Sequence, residues 1–189
     1  MAPETENKLE YDLVRRAKKG DRSAFSKLVE LYQDRVYSLA WKTIGDREIA
    51  QDVAQDSFVR AWRALPGFKG ESKFSSWLYR ITYNTSLSEL RRLGKPVDQY
   101  SGDELEALPN LVMHTVSIES NLEKNDLVER LIDALPPNYR SIVSLFYLHE
   151  LSCQEISDVS GHPVGTVKAY LHRARNHLRK SAAELLQAG

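Results

Sequence analysis

Apolar residues recur at three- and four-residue steps along most of the chain, and glycines, prolines and capping aspartates break the pattern into helices. A first helix is expected over residues 8–19, with Leu9, Leu13, Val14 and Ala17 inward and Gly20 as its stop. Asp21 can cap a second, in which Phe25, Leu28, Val29, Leu31, Tyr32, Val36, Leu39, Ala40 and Ile44 keep helical spacing to Gly45, with room for a bend near Gln33. Asp46 repeats the capping signal. The third helix turns Ile49, Val53, Phe58 or Val59, and Trp62 inward and ends before Pro66 and Gly67. After a loop at 66–72, Ser72 can cap a fourth helix that runs to Gly94 with Phe74, Trp77, Leu78, Ile81 and Leu87 on its inner face. No stretch alternates as a strand would, so residues 8–94 read as one all-α domain.

Periodicity stops at Gly94, and residues 95–118 mix Pro96, Gly102, Pro109, acids and scattered aliphatics, the composition of a flexible acidic linker. Those 24 residues can span at most about 80 to 86 Å, against roughly 27 Å as a coil. Helical spacing returns over 119–186, with Leu122, Leu127, Leu131, Ile132 and Leu135, a break at Pro136 and Pro137, then Ile142, Val143, Leu145, Phe146 and Leu148. The segment 151–180 reads as a helix-turn-helix. Leu151, Ile156 and Val159 face inward, Gly161 supplies the positive φ of a C-cap, and Pro163 suits the first position of the next helix. Val164, Val167, Leu171, Ala174 and Leu178 then form its buried stripe.

The formal net charge is zero, which hides strong segregation. Residues 57–95 hold eight Lys or Arg against two acids, residues 162–180 hold five against none, and residues 97–126 hold seven acids against Lys124. Two cationic surfaces are thus offset by acidic material elsewhere, a distribution that suits nucleic acid better than the total suggests. The single Cys153 excludes an intrachain disulfide and is expected in the core; no Cys pair is available for zinc. No apolar run approaches the ~18 residues of a membrane span, so a reducing, cytoplasmic setting is expected.

Three surfaces carry candidate chemistry. On the second helix of the helix-turn-helix, Thr166, Lys168, His172, Arg173, Arg175, Arg179 and Lys180 oppose the buried stripe, as a major-groove helix requires. On the fourth helix Lys73, Arg80, Arg91 and Arg92 interleave with Trp77, Tyr79, Tyr83 and Asn84, a mixture of cations and rings that suits unpaired nucleic acid; Trp77 also fits a core. On the third helix Asp52, Gln55, Asp56 and Arg60 share one face, which spacing alone reads as a solvated surface with an Asp56–Arg60 pair.

Five blocks in order resemble the extracytoplasmic-function sigma factors, the small promoter-recognition subunits of bacterial RNA polymerase. They are KKGDRSAFSKLVELYQDRVYSLA at 18–40, EIAQDVAQDSFVRAWRAL at 48–65, FKGESKFSSWLYRITYNT at 68–85, ALPPNYRSIVSLFYLHELSCQEIS at 134–157 and PVGTVKAYLHRARNHLRK at 163–180. The resemblance implies that domain 8–94 binds the clamp helices of the largest polymerase subunit through the Asp52 face. It implies that the same domain opens the downstream promoter element, with Asn84 and the loop Pro66–Lys73 holding one flipped base beside Phe68 and Lys73. Domain 119–186 would bind the flap of the second-largest subunit and read the upstream element. The linker would cross the polymerase channels, and an anti-sigma factor would hold the protein silent until stress. No cofactor, metal or catalytic residue is implied. In the family a Gln-Glu often stands where this chain has Gln55 and Asp56, and an Arg-Ser-Arg where it has Lys168, Ala169 and Tyr170. At those positions lysine lacks the bidentate fork of arginine, and Ala169 offers a thymine methyl an apolar contact.

Two other classes compete with this reading. A helix-turn-helix regulator that is not a sigma subunit would need a sensor domain, and the N-terminal half has no strand-helix alternation to build one. An enzyme would need a phosphate-cradling glycine loop, a nucleophile elbow or a His-Glu zinc helix, and none is present. His149 and Cys153, on one helical face, are too few to ligate zinc.

Overall fold

The computed structural model describes residues 3–95, 132, 135 and 137–187, with backbone alone for 3–7, 137, 138 and 176–187. It divides into two compact units, Met1–Lys95 and Pro96–Gly189, and among the described residues every regular element is a helix. The stretch read from sequence as a linker lies outside the described residues, as do Leu122, Leu127 and Leu131.

The first unit packs α1 (Pro3–Ala17), α2 (Arg22–Ile44), α3 (Arg47–Ala64) and α4 (Phe74–Arg92), with a 3₁₀ turn at Leu65–Gly67. Its corners are set by local chemistry. The Asp21 carboxylate accepts from the Ala24 amide at 3.0 Å and from the Arg16 guanidinium at 2.7 Å, and these bonds, the amide first, hold its pKa below the usual carboxylate value. Gly45 closes α2 in the left-handed region at φ 79°, and Asp46 caps α3 through the Glu48 and Ile49 amides. Helix α2 runs through Gln33 without interruption. Tyr32 ties α1 to α2: its hydroxyl donates to Glu10 at 2.6 Å, and burial, with that carboxylate, raises its pKa far above the ordinary phenol value.

Inner faces differ from expectation on three helices, and on α1 Leu9 is 55% exposed while Leu13, Val14 and Ala17 are buried. Helix α3 buries Ala50, Val53, Ala54, Ser57 and Ala61, while Ile49, Phe58 and Trp62 are half-buried and Val59 is 45% exposed. Small side chains let α2 and α4 approach its backbone, so the larger apolar residues are displaced to the flanks. Helix α4 buries Phe74 and Leu78 as expected, but also Tyr79, Thr82, Tyr83, Thr85, Ser86 and Leu90, leaving Trp77, Ile81 and Leu87 half-buried. Three of its inner hydroxyls are satisfied within the helix, because Thr82, Thr85 and Ser86 donate to the carbonyls of Leu78, Ile81 and Thr82. Ser72 does not cap α4. The cap position is Lys73, without a side-chain cap bond, and the entry is instead fixed by rings: Phe68 lies 6.1 Å from Phe74 and 4.9 Å from Trp77.

The second unit contains α5 (Pro137–Tyr147), α6 (Cys153–Ser160) and α7 (Val164–Gln187), closed over Ile132, Leu135, Ile142, Val143, Leu145, Leu151, Ile156 and Val159. Ser152 and Glu155 form a reciprocal capping box at α6, and Gly161 ends it at φ 77°. The Ser157 hydroxyl donates to the His162 carbonyl at 2.7 Å, which locks the turn. The Pro163 carbonyl accepts the first α7 bond, from Val167, so Pro163 stands one residue before the helix instead of opening it. Cys153 is half-buried, not a core residue, and opens α6, whereas His149 lies beyond the end of α5; the two do not share a helix.

Candidate nucleic-acid and polymerase interfaces

On α4, Lys73 at the cap is followed by Trp77, Arg80, Asn84 and Arg91 at steps of four, three, four and seven residues. At about 100° per residue these positions fall within about 60° of arc, and they extend over roughly 27 Å. Lys73, Arg80, Asn84 and Arg91 are exposed, and Trp77 is half-covered by Phe68 and Phe74. At Asn84 the main-chain carbonyl accepts from the Ser88 hydroxyl at 2.8 Å, and the residue is exposed. Cations, one ring and one carboxamide therefore form a single track.

The same helix withholds other candidates. Tyr79 and Tyr83 are 1% and 5% exposed, which removes them as stacking platforms. Phe68 is 8% exposed and serves as a support beneath Trp77 more than as an open wall. Arg92 lies about 100° from the track and donates two hydrogen bonds to Glu89, at 2.8 and 2.6 Å. Those bonds lower the Glu89 pKa and raise that of Arg92.

On α3, Asp52, Gln55 and Arg60 are exposed and Asp56 is half-buried. Arg60 donates to Asp56 at 2.7 Å, an exposed i,i+4 pair worth a few tenths of a kcal/mol, which leaves Asp52 to set the sign of the face. Beside it runs an apolar groove of about 330 Å³ lined by Phe25, Phe58, Val59 and Trp62, with the Phe25 and Trp62 rings 4.9 Å apart. Helical spacing predicts Phe25, Trp62 and one of Phe58 and Val59 inward, whereas the structure leaves them at the flank. The signal that could have placed them was the alanine stripe of α3, which already filled the inner face.

On α7, Lys168 is exposed and His172, Arg173 and Arg175 are half-buried. Thr166 and Ala169, expected on the outer face, are each 4% exposed. Helix α7 packs against both α5 and α6, so it buries a wider stripe than one amphipathic face. Tyr170 belongs to that stripe: at 3% exposure it sits 5.2 Å from Tyr139 and 5.7 Å from His162. Burial lowers the pKa of His162. The Arg175 guanidinium reaches the Tyr147 hydroxyl at 3.5 Å. The side chains of Arg179 and Lys180 lie outside the described residues.

Among the described residues there is no group of three or more His, Cys, Asp or Glu able to hold a metal ion, and no helix long and apolar enough to cross a membrane.

Comparison with known proteins matches residues 28–95 to Sigma-70 region 2 and residues 125–178 to Sigma-70, region 4. The chain is 35% identical over 181 residues to the ECF RNA polymerase sigma factor SigW of Bacillus subtilis (strain 168), covering 91% of this chain and 96% of that protein. It is 36% identical over 183 residues to the ECF RNA polymerase sigma-E factor of Escherichia coli (strain K12), covering 93% and 95%. The fold is similar to that of CnrH, solved in complex with the cytosolic domain of CnrY, with a TM-score of 0.63 and 24% identity over 95% of this chain and 98% of that one. It is also similar to the sigma factor RpoE from Bartonella quintana, solved with the anti-sigma factor NepR, with a TM-score of 0.60 and 24% identity over 82% and 94%.

Proposed function

The chain belongs to the extracytoplasmic-function sigma factors, and we propose on that premise that its two units divide promoter recognition between them. It binds core RNA polymerase, directs it to specific promoters, helps to open them, and is held in check by an anti-sigma factor. The first unit does the work of sigma region 2. Asp52, Gln55, Asp56 and Arg60 dock on the polymerase clamp, and Lys73, Trp77, Arg80, Asn84 and Arg91 carry the unpaired non-template strand. Arg92, exposed beside the track and paired with Glu89, is a further contact to the same strand. The second unit does the work of region 4: Lys168, His172 and Arg173 face base edges of the upstream element, while Arg175 and Arg179 are phosphate contacts. Thr166 and Ala169 support this helix from inside. Residues 95–118 connect the two through the polymerase channels. The family is one of transcription-initiation subunits; the protein has no reaction of its own and acts where polymerase acts, in the cytoplasm.

The observation that carries this reading is the one-sided track on α4. Stacking and phosphate contact are both sequence-tolerant, so they hold a strand. A carboxamide supplies a donor and an acceptor for one base edge. Regulation by a protein partner is supported by the two relatives solved with theirs, CnrH with CnrY and RpoE with NepR.

Reconstitution with core polymerase tests the assignment. The full chain should confer transcription from discrete start sites, and reversing Asp52 and Asp56 to lysine should abolish it by weakening core affinity, with helical content unchanged because exposed helix positions tolerate substitution. Unchanged core affinity in the double reversal would move the docking face elsewhere.

A further inference from the structure

Helix α7 begins with little polar surface of its own. Over residues 164–170, Thr166, Val167, Ala169 and Tyr170 are buried and Val164 is half-buried, so only Lys168 presents an exposed polar side chain. A second polar group stands at the same end. His162, in the turn between α6 and α7, is half-buried, and its ring lies 5.7 Å from that of Tyr170. Tyr170 in turn packs on Tyr139 at 5.2 Å, so the imidazole rests on a buried aromatic support.

The main chain at His162 is fixed as well. Its carbonyl accepts from the Ser157 hydroxyl at 2.7 Å, and its amide donates to the Ser160 hydroxyl at 3.3 Å. Its imidazole nitrogens take no hydrogen bond among the described residues. A ring held in place with its N–H unused is preorganised to donate outward, because little further freedom is lost when it binds. Burial lowers its pKa, yet a donor is present in either protonation state, since neutral imidazole keeps one N–H and the cation has two.

The surroundings admit a duplex. Gly161 precedes His162 and Gly165 follows it in the first turn of α7, and no atom lies within 4 Å of the place a Cβ would take at either. The acids of α6 are engaged within that helix: Glu155 closes the capping box with Ser152, and Asp158 accepts from Gln154 at 3.2 Å. In a helix-turn-helix the second helix enters the major groove by its N-terminal residues, so the turn before it meets the sugar-phosphate rim. Contacts to that rim carry no sequence information but fix register and orientation.

We infer that His162 donates its imidazole N–H to one backbone phosphate of the upstream element and so sets the register in which α7 presents Lys168, His172 and Arg173 to the bases. Tyr170 is then a positioning residue, which acts through the ring it supports. This inference rests on the reading of α7 as the upstream-element helix.

The test uses holoenzyme reconstituted from core polymerase and the full chain, bound to promoter duplexes in which one upstream-element phosphate at a time is replaced by an uncharged methylphosphonate. His162→Phe keeps a ring against Tyr170 and removes the N–H. It should weaken binding of the unmodified promoter roughly 2- to 12-fold, the range for one hydrogen bond, with an unchanged denaturation midpoint. His162→Gln, which restores an N–H donor, should recover most of that loss. At one methylphosphonate position the His162→Phe and unsubstituted holoenzymes should bind alike, and at the others the factor should persist. Lys168→Ala on the same duplexes separates the inference from the reading beneath it. If Lys168→Ala loses affinity while His162→Phe does not, α7 still reads the element and His162 serves only to pack on Tyr170. If neither variant loses affinity, the reading of α7 fails and the contact with it. If His162→Phe loses the same factor at every methylphosphonate position, or weakens core binding without DNA, no single phosphate is its partner and the inference is overturned.

Discussion

The two cationic helices, α4 and α7, look alike in sequence and differ in structure. Both carry basic residues at helical steps opposite an apolar stripe, yet α4 keeps Lys73, Trp77, Arg80, Asn84 and Arg91 in one accessible line, whereas α7 draws Thr166 and Ala169 into its interior and leaves His172, Arg173 and Arg175 half-covered. The difference comes from how each helix pays for its polar inner residues. On α4, Thr82, Thr85 and Ser86 satisfy themselves on the preceding turn, so a polar inner face is tolerated and the outer face stays open. On α7, Tyr170 fills the space between Tyr139 and His162, and the neighbouring α5 and α6 close around it. The first helix is a track and the second a wedge.

Breaking the wedge should give the largest effect. Tyr170→Ala removes a ring that is 3% exposed and should cost about 3–5 kcal/mol, enough to unfold a small unit and abolish upstream-element binding. Trp41, Trp62 and Trp77, the three tryptophans of the chain, lie in the first unit. Tryptophan emission should therefore report an unchanged transition while amide exchange in α7 accelerates. Loss of both signals together would show that the units unfold as one.

An intermediate effect sharpens the contrast between neighbouring residues of α7. Ala169→Leu overpacks a position that is 4% exposed and should cost about 1–3 kcal/mol by chemical denaturation. Lys168→Arg, one residue earlier and exposed, should leave stability within about 0.5 kcal/mol and change only DNA binding. Equal stability of the two variants would put Ala169 on the outer face.

The smallest effect concerns the cap of α2. The Asp21 pKa is lowered by the Ala24 amide and then by Arg16, so its contribution is fully present above the ordinary carboxylate pKa and disappears as pH falls through the lowered value. Asp21→Asn should melt below the unsubstituted protein at pH 7, and the gap should close as the pH drops below about 4. A gap that persists at acid pH would mean the carboxylate charge is not what stabilises the corner.

The corners of this fold were legible because capping is local: Asp21, Asp46, Gly45 and Gly161 each declare a helix end within a few residues, and each does so here. The α4 line was legible for the same reason, since spacing alone puts Lys73, Arg80, Asn84 and Arg91 on one side. What spacing could not decide was which of two apolar faces goes inward. On α3 the alanines won and exposed Val59; on α4 the threonines and Tyr79 did, leaving Trp77 half-open. The tie between α1 and the loop before α4 was invisible because it is non-local, made when Lys18 fastens the Phe68 carbonyl 50 residues away.

Permanganate footprinting of the open complex, on a series of single-base downstream promoter variants, tests the central claim that the α4 track holds the unpaired strand. Extruding a base costs a few kcal/mol, which the protein must return by binding it. Asn84→Ala should leave core and upstream-element binding intact while reducing thymine reactivity in the opened region, most strongly for templates with the preferred base at a single downstream position. Normal opening with unchanged base preference would contradict the account.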